Sequence, residues 1–363
     1  MAHKGFFNAF NDVWLLDGVR TPMVDYCGAL GHVSPTDLGI KAARAALQRA
    51  GVPGGDIGSV VCGNMAPGDF DQFFLPRHIG LYAGVPVEVP AIMAQRICGT
   101  GFELLRQAGE HVQGGACEAA LVVGTENMTR NPIAAFEHRT GFKLGAPVGF
   151  KDYMWEALKD PAAGINMIQT AENLAKKYGI TREEVDAFAS ASFARAVAAQ
   201  ASGFLAGEIV PVVSEKFELD GYRPRGIKLA GKTAEVTQDT HPRPSPPEVL
   251  AKLRPVFEGG VQTGGNSSAL VDAAAGTPVG DEVLGGGEHA AAVLQAVLQA
   301  FDRGLAQAAH EGGVRAVALI GAAPSHVLHD GERGCKGPVH TGGAHRAGGG
   351  PAEIGRASCR ERV

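Results

Sequence analysis

Short apolar runs alternate with amphipathic runs over roughly the first 125 residues, and this alternation limits the possible folds more than any other feature. The apolar runs are VWLLDGV, IGSVVCGN and AALVVGTEN, and the runs LGIKAARAALQRAG and FELLRQAGEHVQGG have helical spacing. Short strands separated by helices of about three turns are typical of βαβ units. The pattern predicts an α/β sheet with largely parallel strands. Its first helix should begin after an N-capping Ser34, with Pro35 and Asp37 in the first turn.

Size and charge limit the class of protein. The chain has 363 residues, 45% of them apolar, and a formal net charge of -5. This is enough for one large or two medium globular domains. Lys and Arg are spread along the chain, which argues against a nucleic-acid surface or a polybasic membrane patch. No apolar run approaches the roughly 20 residues of a membrane helix, and the N-terminus lacks a signal-peptide core. We expect a cytoplasmic protein with no nucleic-acid or membrane partner.

The cysteines show no pairing pattern. There are six, and none forms a CxxC motif or a His/Cys cluster of the zinc type. In a reducing compartment this pattern predicts free thiols and no metal site. Most should be packing residues, and one of them is a candidate nucleophile.

Longer and more polar segments follow from about residue 128 to 255. TAENLAKKYG and TREEVDAFASASFARAVAAQASG predict helices, the second with Thr181 as cap, Glu184 three residues later and Gly203 at its end. GYRPRGIKLAGK and DTHPRPSPPE read as loops, and long loops in a compact protein are usually functional. The segment VFEGGVQTGGNSSALVDAAA reads as a turn followed by a helix of small residues.

The last quarter of the chain has a different composition. The spacing predicts a helix over 289–311 and a strand over 314–323. Residues 324–363 show neither periodicity and read as unstructured. The final EIGRASCRERV is similar to a translated sequencing adapter, so we expect a shifted reading frame and adapter-derived sequence there.

Cys98 stands between a strand-like run, AIMAQRI, and a helix-like run, FELLRQAGEHV. At a strand-to-helix junction, unpaired N–H groups and the positive end of the helix dipole stabilise a thiolate. Gly99 and Gly101 would leave room for a substrate and permit a sharp turn. The alternative is a buried cysteine in an ordinary tight turn. These residues alone do not decide between the two.

The string CGTGFELLRQAGEHVQGG resembles the nucleophile segment of the thiolase family, the acetyl-CoA acetyltransferases and 3-ketoacyl-CoA thiolases. Four further blocks match the family in order and spacing: DGVRTP, VVGTENMTRNP, TAENLAKKYGITREEVDAFA and EGGVQTGGNSSALVD. The block AKLRPVF also fits the family. The resemblance covers roughly residues 13 to 272. It implies acyl transfer between an active-site cysteine and coenzyme A, with coenzyme A and acyl-CoA as substrates, no cofactor, and a homo-oligomer, dimeric or tetrameric.

The resemblance also implies a fold. Thiolases have two similar α/β halves in a layered αβαβα core, with a loop domain over the coenzyme A site. On that basis residues 1–127 form the N-terminal half with the nucleophile, and 128–255 form the loop domain. Residues 256–323 hold the end of the first half and a remnant of the second, and 324–363 lie outside the fold. The C-terminal half is expected to be largely missing.

Individual site residues follow from the same motifs. Cys98 corresponds to the acylated nucleophile, Ser268 to a serine that contacts the pantetheine arm, Met167 to an acyl-pocket residue, and Arg243 to an arginine near the nucleotide. The structural alternatives are a helix cap for Ser268, core packing for Met167 and a solvated loop charge for Arg243. A basic cluster is interpreted as a solvated loop, with contact to coenzyme A phosphates or to a neighbouring subunit as the alternatives; it consists of Arg223, Arg225, Lys228 and Lys232.

Parts of the family pattern are absent. Thiolases complete their site with Asn-Glu-Ala-Phe, Gly-His-Pro and Cys-x-Gly-Gly segments in the second half, and none occurs in this chain. Acyl transfer of this type needs a second general acid/base besides the nucleophile. We therefore expect a thiolase N-terminal part without normal turnover. The alternative hypothesis is a thiolase-like subunit that binds coenzyme A or a partner without catalysis.

Overall fold

A computed structural model describes residues 10–136 and 138–281. The sequence predictions of a helix over 289–311, a strand over 314–323 and an unstructured segment over 324–363 fall outside these residues. The domain boundaries at 127, 255 and 323 stay predictions.

The helices begin and end where the sequence places their caps. Ser34 accepts the Asp37 N–H at 3.1 Å with Pro35 at the first position, and Thr181 and Glu184 form a capping box. Gly51 and Gly179 end their helices in the left-handed conformation that glycine permits. The α-helices in the described residues are α1 Pro35–Ala50, α2 Leu75–Tyr82, α3 Thr100–Gln113, α4 Tyr153–Ala157, α5 Met167–Tyr178, α6 Arg182–Ala201 and α7 Pro247–Leu250.

The strands divide between one central sheet and four small hairpin-like pairs. In chain order they are β1 Trp14–Leu15, β2 Val19–Arg20, β3 Val24–Asp25, β4 Ser59–Gly63, β5 Ala91–Ala94, β6 Ala119–Glu126, β7 Ile133–Ala135, β8 Phe150–Asp152, β9 Lys159–Asp160, β10 Ile165–Asn166, β11 Val212–Val213, β12 Glu215–Phe217, β13 Arg225–Ile227, β14 Glu235–Val236 and β15 Val271–Gly280.

The central sheet is mixed, with one long strand that runs opposite to the others. Its order is β1-β15-β6-β4-β5, and β2 and β3 also pair with β15. The parallel prediction is confirmed for β5, β4 and β6. Strand β15 lies outside the first 125 residues to which that prediction applied, and it runs antiparallel to β6 from the pair Ala273 and Glu126 to the pair Gly280 and Ala119.

Helices cover both faces of this sheet. Side chains in a strand alternate between faces, so Val60 and Cys62 pack with α1 and α2, whereas Val61 packs with α3. Along β6, Leu121 and Val123 point to the α1 side and Val122 to the α3 side. A strand buried on both faces reads as a continuous apolar run, as these strands do. The described residues thus form α, β and α layers of the predicted arrangement.

The predicted helix of small residues is wrong, because Val271–Gly280 is strand β15. Alanine favours helices, but pairing with β6 on one side and β1 to β3 on the other overrides that weak preference. The small residues of β15 instead allow α1 to pack close to the strand. A Cβ at Gly276 would lie 3.2 Å from the Ala42 carbonyl oxygen of α1, so the glycine lets α1 approach the sheet.

Hydrogen bonds and ion pairs connect residues 205–243 to the sheet and α1. Arg20 binds Asp239 through two hydrogen bonds of 2.6 and 2.9 Å and also binds Glu208. Arg225 contacts Asp37 at 2.8 Å and Asp71 at 2.5 Å. For Arg225 the interpretation as a solvated charge is therefore wrong.

None of the helices within 10–136 and 138–281 has the length and apolar character to cross a membrane.

Candidate active site

Cys98 lies in the turn between β5 and α3. The strand ends at Ala94 and the helix begins at Thr100 with Gly99 as its N-cap. The thiol is free and exposed. The predicted strand-to-helix junction is confirmed, and the alternative of a buried packing cysteine is wrong. Because Cys98 comes just before the helix, its sulfur is close in sequence to N–H groups that have no partner within the helix.

The turn is held by Thr100. Its hydroxyl accepts the Arg96 N–H at 2.8 Å and donates to the Ile97 carbonyl oxygen at 2.6 Å. Ile97 has φ +47, a conformation that is unfavourable for a β-branched residue. Gly99 has an ordinary φ of -85, so the sharp conformation falls on Ile97 and not on the glycines. Strained residues of this kind cluster at functional sites, where the surrounding structure holds them.

The beginning of α3 sits directly over β4. A Cβ at Gly63 would meet the Thr100 methyl group at 2.3 Å and Leu104 at 3.0 Å. Only glycine at the end of β4 therefore allows this approach. At Gly101 a Cβ would meet nothing within 4 Å, which leaves open space beside the turn, as predicted.

A cavity of about 210 Å³ opens next to the turn. It lies at the carboxyl ends of β4 and β6, the place where α/β sheets usually bind ligands. Ile97, Thr100 and Gly101 form one wall. The other lining residues are Arg20, Met23, Gly63, Asn64, Met65, Gly124, Thr125, Glu126, Ala273, Ala274 and Ala275.

Glu126 is the acidic residue of this cavity. One carboxylate oxygen accepts the Met65 N–H at 2.7 Å and the other accepts the Asn64 side-chain amide at 3.1 Å. The Asn64 amide also donates to the Thr125 carbonyl at 2.9 Å, and its oxygen accepts from Gln72 at 2.6 Å. These residues form a connected polar cluster at the floor of the cavity.

Burial raises the pKa of Glu126 from 4.5 to about 7. The charge of Asp272 adds to the rise, whereas the hydrogen bonds from Met65, Ala66 and Asn64 act in the opposite direction. Glu126 is therefore a group that changes its charge close to neutral pH. Such groups in clefts are candidates for functional sites.

The other predicted site residues lie in the 128–270 segment, away from the cavity lining. Met167 is the first residue of α5 and is 42% exposed, so the core-packing alternative is wrong. Ser268 is exposed and precedes a strand, so it caps no helix. Arg243 is exposed and lies over the Phe193 ring at 5.1 Å. The structure thus leaves these three side chains accessible and does not place them around the cavity beside Cys98.

Two sequence motifs hold each other in place. Glu172 of α5 accepts the N–H groups of Val261 and Gln262 at 2.9 and 2.7 Å, and the Asn266 amide donates to Asp186 of α6 at 2.9 Å. A Cβ at Gly260 would meet the Glu172 carboxylate at 2.6 Å. The TAEN and EGGVQTGGN segments are therefore structural partners.

Within 10–136 and 138–281, no group of three or more His, Cys, Asp or Glu side chains is arranged to hold a metal ion.

Glu126 and Asn64 were not identified from the sequence. Asn64 directly follows β4 in the run IGSVVCGN, and Glu126 is the last residue of β6 in the run AALVVGTEN. Polar residues at the carboxyl ends of neighbouring parallel strands meet at one edge of the sheet. A polar residue at the end of each apolar run is therefore the sequence signal that could have identified both.

Comparison with known proteins gives a consistent result. The family model described as thiolase, N-terminal domain, matches residues 13–279. The chain is 35% identical to the mitochondrial 3-ketoacyl-CoA thiolase of Bos taurus over 272 residues and 38% identical to the beta-ketothiolase BktB of Cupriavidus necator over 269. These matches cover 74% and 73% of this chain, and 65% and 64% of the relatives. The chain thus spans less than two thirds of those relatives.

A solved structure agrees with the sequence relatives. The crystal structure of human mitochondrial 3-ketoacyl-CoA thiolase in complex with CoA matches with a TM-score of 0.68 and 34% identity. The match covers 75% of this chain and 65% of that chain.

Proposed function

The chain belongs to the thiolase family, and we propose that Cys98 carries an acyl group between molecules of coenzyme A. The observation that carries this proposal is an exposed thiol before the first turn of α3, in a turn with a strained Ile97, beside a cavity at the carboxyl ends of the strands. Family membership supports the substrate class, acyl-CoA and coenzyme A, with coenzyme A used as a substrate and not as a resident cofactor.

The proposed step is a thioester exchange. The Cys98 thiolate attacks the carbonyl carbon of an acyl-CoA, a new carbon–sulfur bond forms, and the negative charge moves to the carbonyl oxygen. Backbone N–H groups in the first turn of α3 can donate to that oxygen. Collapse of the intermediate breaks the bond to coenzyme A, whose thiolate takes a proton from water. A second coenzyme A reverses the sequence and carries the acyl group away.

Met167, Arg243 and Ser268 are proposed to bind the substrate outside the cavity. The exposed Arg243 offers a planar set of donors suited to a phosphate, and its stacking on Phe193 restricts the side chain. The Ser268 hydroxyl can donate to or accept from an amide of the pantetheine arm. The exposed thioether of Met167 suits an apolar acyl group.

The setting of this activity is also a proposal. Fatty acid metabolism fits the relatives named as 3-ketoacyl-CoA thiolases, and two of the compared proteins are named as mitochondrial. We propose a cytoplasmic location for this chain. A homo-oligomer is supported by β5, which lies at the edge of the described sheet and exposes Ile92 and Met93.

The direct test is to trap the acyl-enzyme. The 363-residue protein is incubated with acetyl-CoA, quenched in acid, digested and mapped by mass spectrometry. One acetyl group is expected on Cys98, and it should disappear on addition of coenzyme A. The Cys98→Ser variant is the control and should carry none. Acetylation at another cysteine, or at no cysteine, would contradict the proposal and favour a subunit that binds without catalysis.

A further inference from the structure

We propose that Glu126 is a positioning residue that holds the Cys98 turn through residues 64–66 and Gln95. This inference rests on the proposed role of Cys98. Glu126 lines the cavity floor, whereas the turn forms a wall of the same cavity. The question is what connects the two.

A short series of contacts makes the connection. Glu126 accepts the Met65 N–H at 2.7 Å, and the Met65 carbonyl accepts from the Gln95 amide at 3.3 Å. The Gln95 side-chain oxygen then accepts the Ile97 N–H at 3.4 Å. Gln95 is thus oriented from both sides, by Met65 on one and Ile97 on the other. The residue that it reaches is the strained one, directly before Cys98.

At pH 8, above its pKa of about 7, Glu126 is mostly a carboxylate, which only accepts hydrogen bonds. Met65, Ala66 and Asn64 all present donors to it. The orientation of Asn64 is fixed, because its oxygen accepts from Gln72 and its amide also donates to the Thr125 carbonyl. A glutamine at position 126 would direct an NH₂ group at one of these donors. Two buried donors that face each other destabilise the folded state by more than an average hydrogen bond stabilises it.

The strain at Ile97 explains why this support matters. A residue in a sparsely populated conformation keeps it only where neighbouring groups hold it there, and loss of one support lets it relax. Thr100 holds the Ile97 carbonyl, and Gln95 contacts the Ile97 N–H. Relaxation of Ile97 would move the Cys98 sulfur away from the start of α3.

The test compares the rate at which iodoacetamide alkylates Cys98 in the full chain at pH 8, followed by peptide mapping. Glu126→Gln should slow alkylation about fivefold or more. Adding Asn64→Asp to that variant should restore part of the lost rate, because an aspartate at 64 accepts from both Gln72 and the new glutamine at 126, although it no longer donates to the Thr125 carbonyl. Exposed Cys27 is an internal reference whose rate should not change. Glu183→Gln, the same chemical change on an exposed part of α6, is the matched control.

Each outcome has one meaning. Unchanged alkylation in Glu126→Gln overturns the inference, and so does a slow rate that Asn64→Asp fails to restore. If Glu126→Gln does not fold, as judged by circular dichroism, Gln95→Ala keeps the Glu126 cluster and cuts only the connection. Gln95→Ala should slow Cys98 in the same way, and an unchanged rate there overturns the inference. A wild-type Cys98 that reacts no faster than Cys27 would instead count against the proposed function.

Discussion

The Thr100 hydroxyl donates a hydrogen bond to the Ile97 carbonyl oxygen at 2.6 Å, across the turn that carries Cys98. The same hydroxyl accepts the Arg96 N–H, so one side chain closes the turn from both ends. This contact keeps Ile97 at φ +47 and brings Cys98 to the first residue before the α3 cap. The candidate site is therefore built by local backbone geometry that the cavity residues support.

Replacing Ile97 by glycine should separate stability from reactivity. Glycine adopts positive φ without strain, and this relief offsets the burial lost with the 44% exposed Ile97 and the entropy of an added glycine. We expect the free energy of unfolding to change by less than about 1 kcal/mol, measured by urea denaturation. Alkylation of Cys98 should slow, because the turn becomes more adaptable. Ile92→Gly, a similarly exposed change in β5 with no strain to relieve, should destabilise by about 2 kcal/mol. An equal loss in Ile97→Gly would show that the turn is not strained.

Replacing Arg225 by methionine should strongly destabilise the protein. Arg225 contacts Asp37 and Asp71, and its side chain is 17% exposed, so its removal leaves two carboxylates poorly solvated. Breaking a buried ion pair on one side costs about 3–5 kcal/mol. The expected result is a loss of about 3 kcal/mol in urea denaturation. Arg195→Met, an exposed change on α6, should have little effect. Equal effects of the two variants would contradict this account of the cluster.

Glu126 should make stability depend on pH. Its pKa is raised from 4.5 to about 7 on folding, so the folded state favours the protonated form. Its contribution is complete below about pH 4.5 and is lost as the pH rises through 7. The difference in unfolding free energy between wild type and Glu126→Gln should fall by about 3 kcal/mol from pH 4.5 to 7.5. The other charged groups near this carboxyl, Asp272 and Arg20, are present in both proteins and cancel. A difference that does not vary with pH would show that Glu126 does not titrate in this range.

This polypeptide should acylate Cys98 but should not catalyse thiolysis of a 3-ketoacyl-CoA. Cys98 can supply the thioester exchange, but breaking a carbon–carbon bond in a 3-ketoacyl-CoA needs a second acid/base. The Asn-Glu-Ala-Phe, Gly-His-Pro and Cys-x-Gly-Gly segments do not occur in these 363 residues. We expect an acetyl-Cys98 adduct but no sustained thiolysis of acetoacetyl-CoA. Thiolysis is measured as the loss of absorbance of the acetoacetyl-CoA enolate. Thiolysis at the rate of an intact thiolase in a parallel assay would contradict this prediction.

The sequence predicted those parts of the fold that depend on local signals. The N-caps at Ser34 and Thr181 follow from side-chain chemistry within a few residues, and the structure confirms them. Strand β15 was missed because its alanines favour a helix locally, and only pairing with β6 makes them a strand. Long-range pairing of this kind leaves no periodic signal in a run of small residues.

The candidate site shows the same division. Cys98 was identified from its own turn and from ordered family motifs, whereas Glu126 and Asn64 act together only because β4 and β6 are adjacent. The strain at Ile97 could not be predicted either, since Gly99 and Gly101 predict that the sharp conformation falls on a glycine. The sequence indicates a solvated charge at Arg225 because its partners, Asp37 and Asp71, lie more than 150 residues earlier in the chain.

The central claim is that the Cys98 thiol is a nucleophile made reactive by its position. The most direct measurement compares the alkylation of Cys98 and Cys27 by iodoacetamide in one sample, with and without acetyl-CoA, read out by peptide mapping. Both thiols are free and exposed, so exposure alone predicts similar rates. Our account predicts that Cys98 reacts at least about tenfold faster and that acetyl-CoA protects Cys98 but not Cys27. Equal rates, or the absence of protection at Cys98, would contradict it.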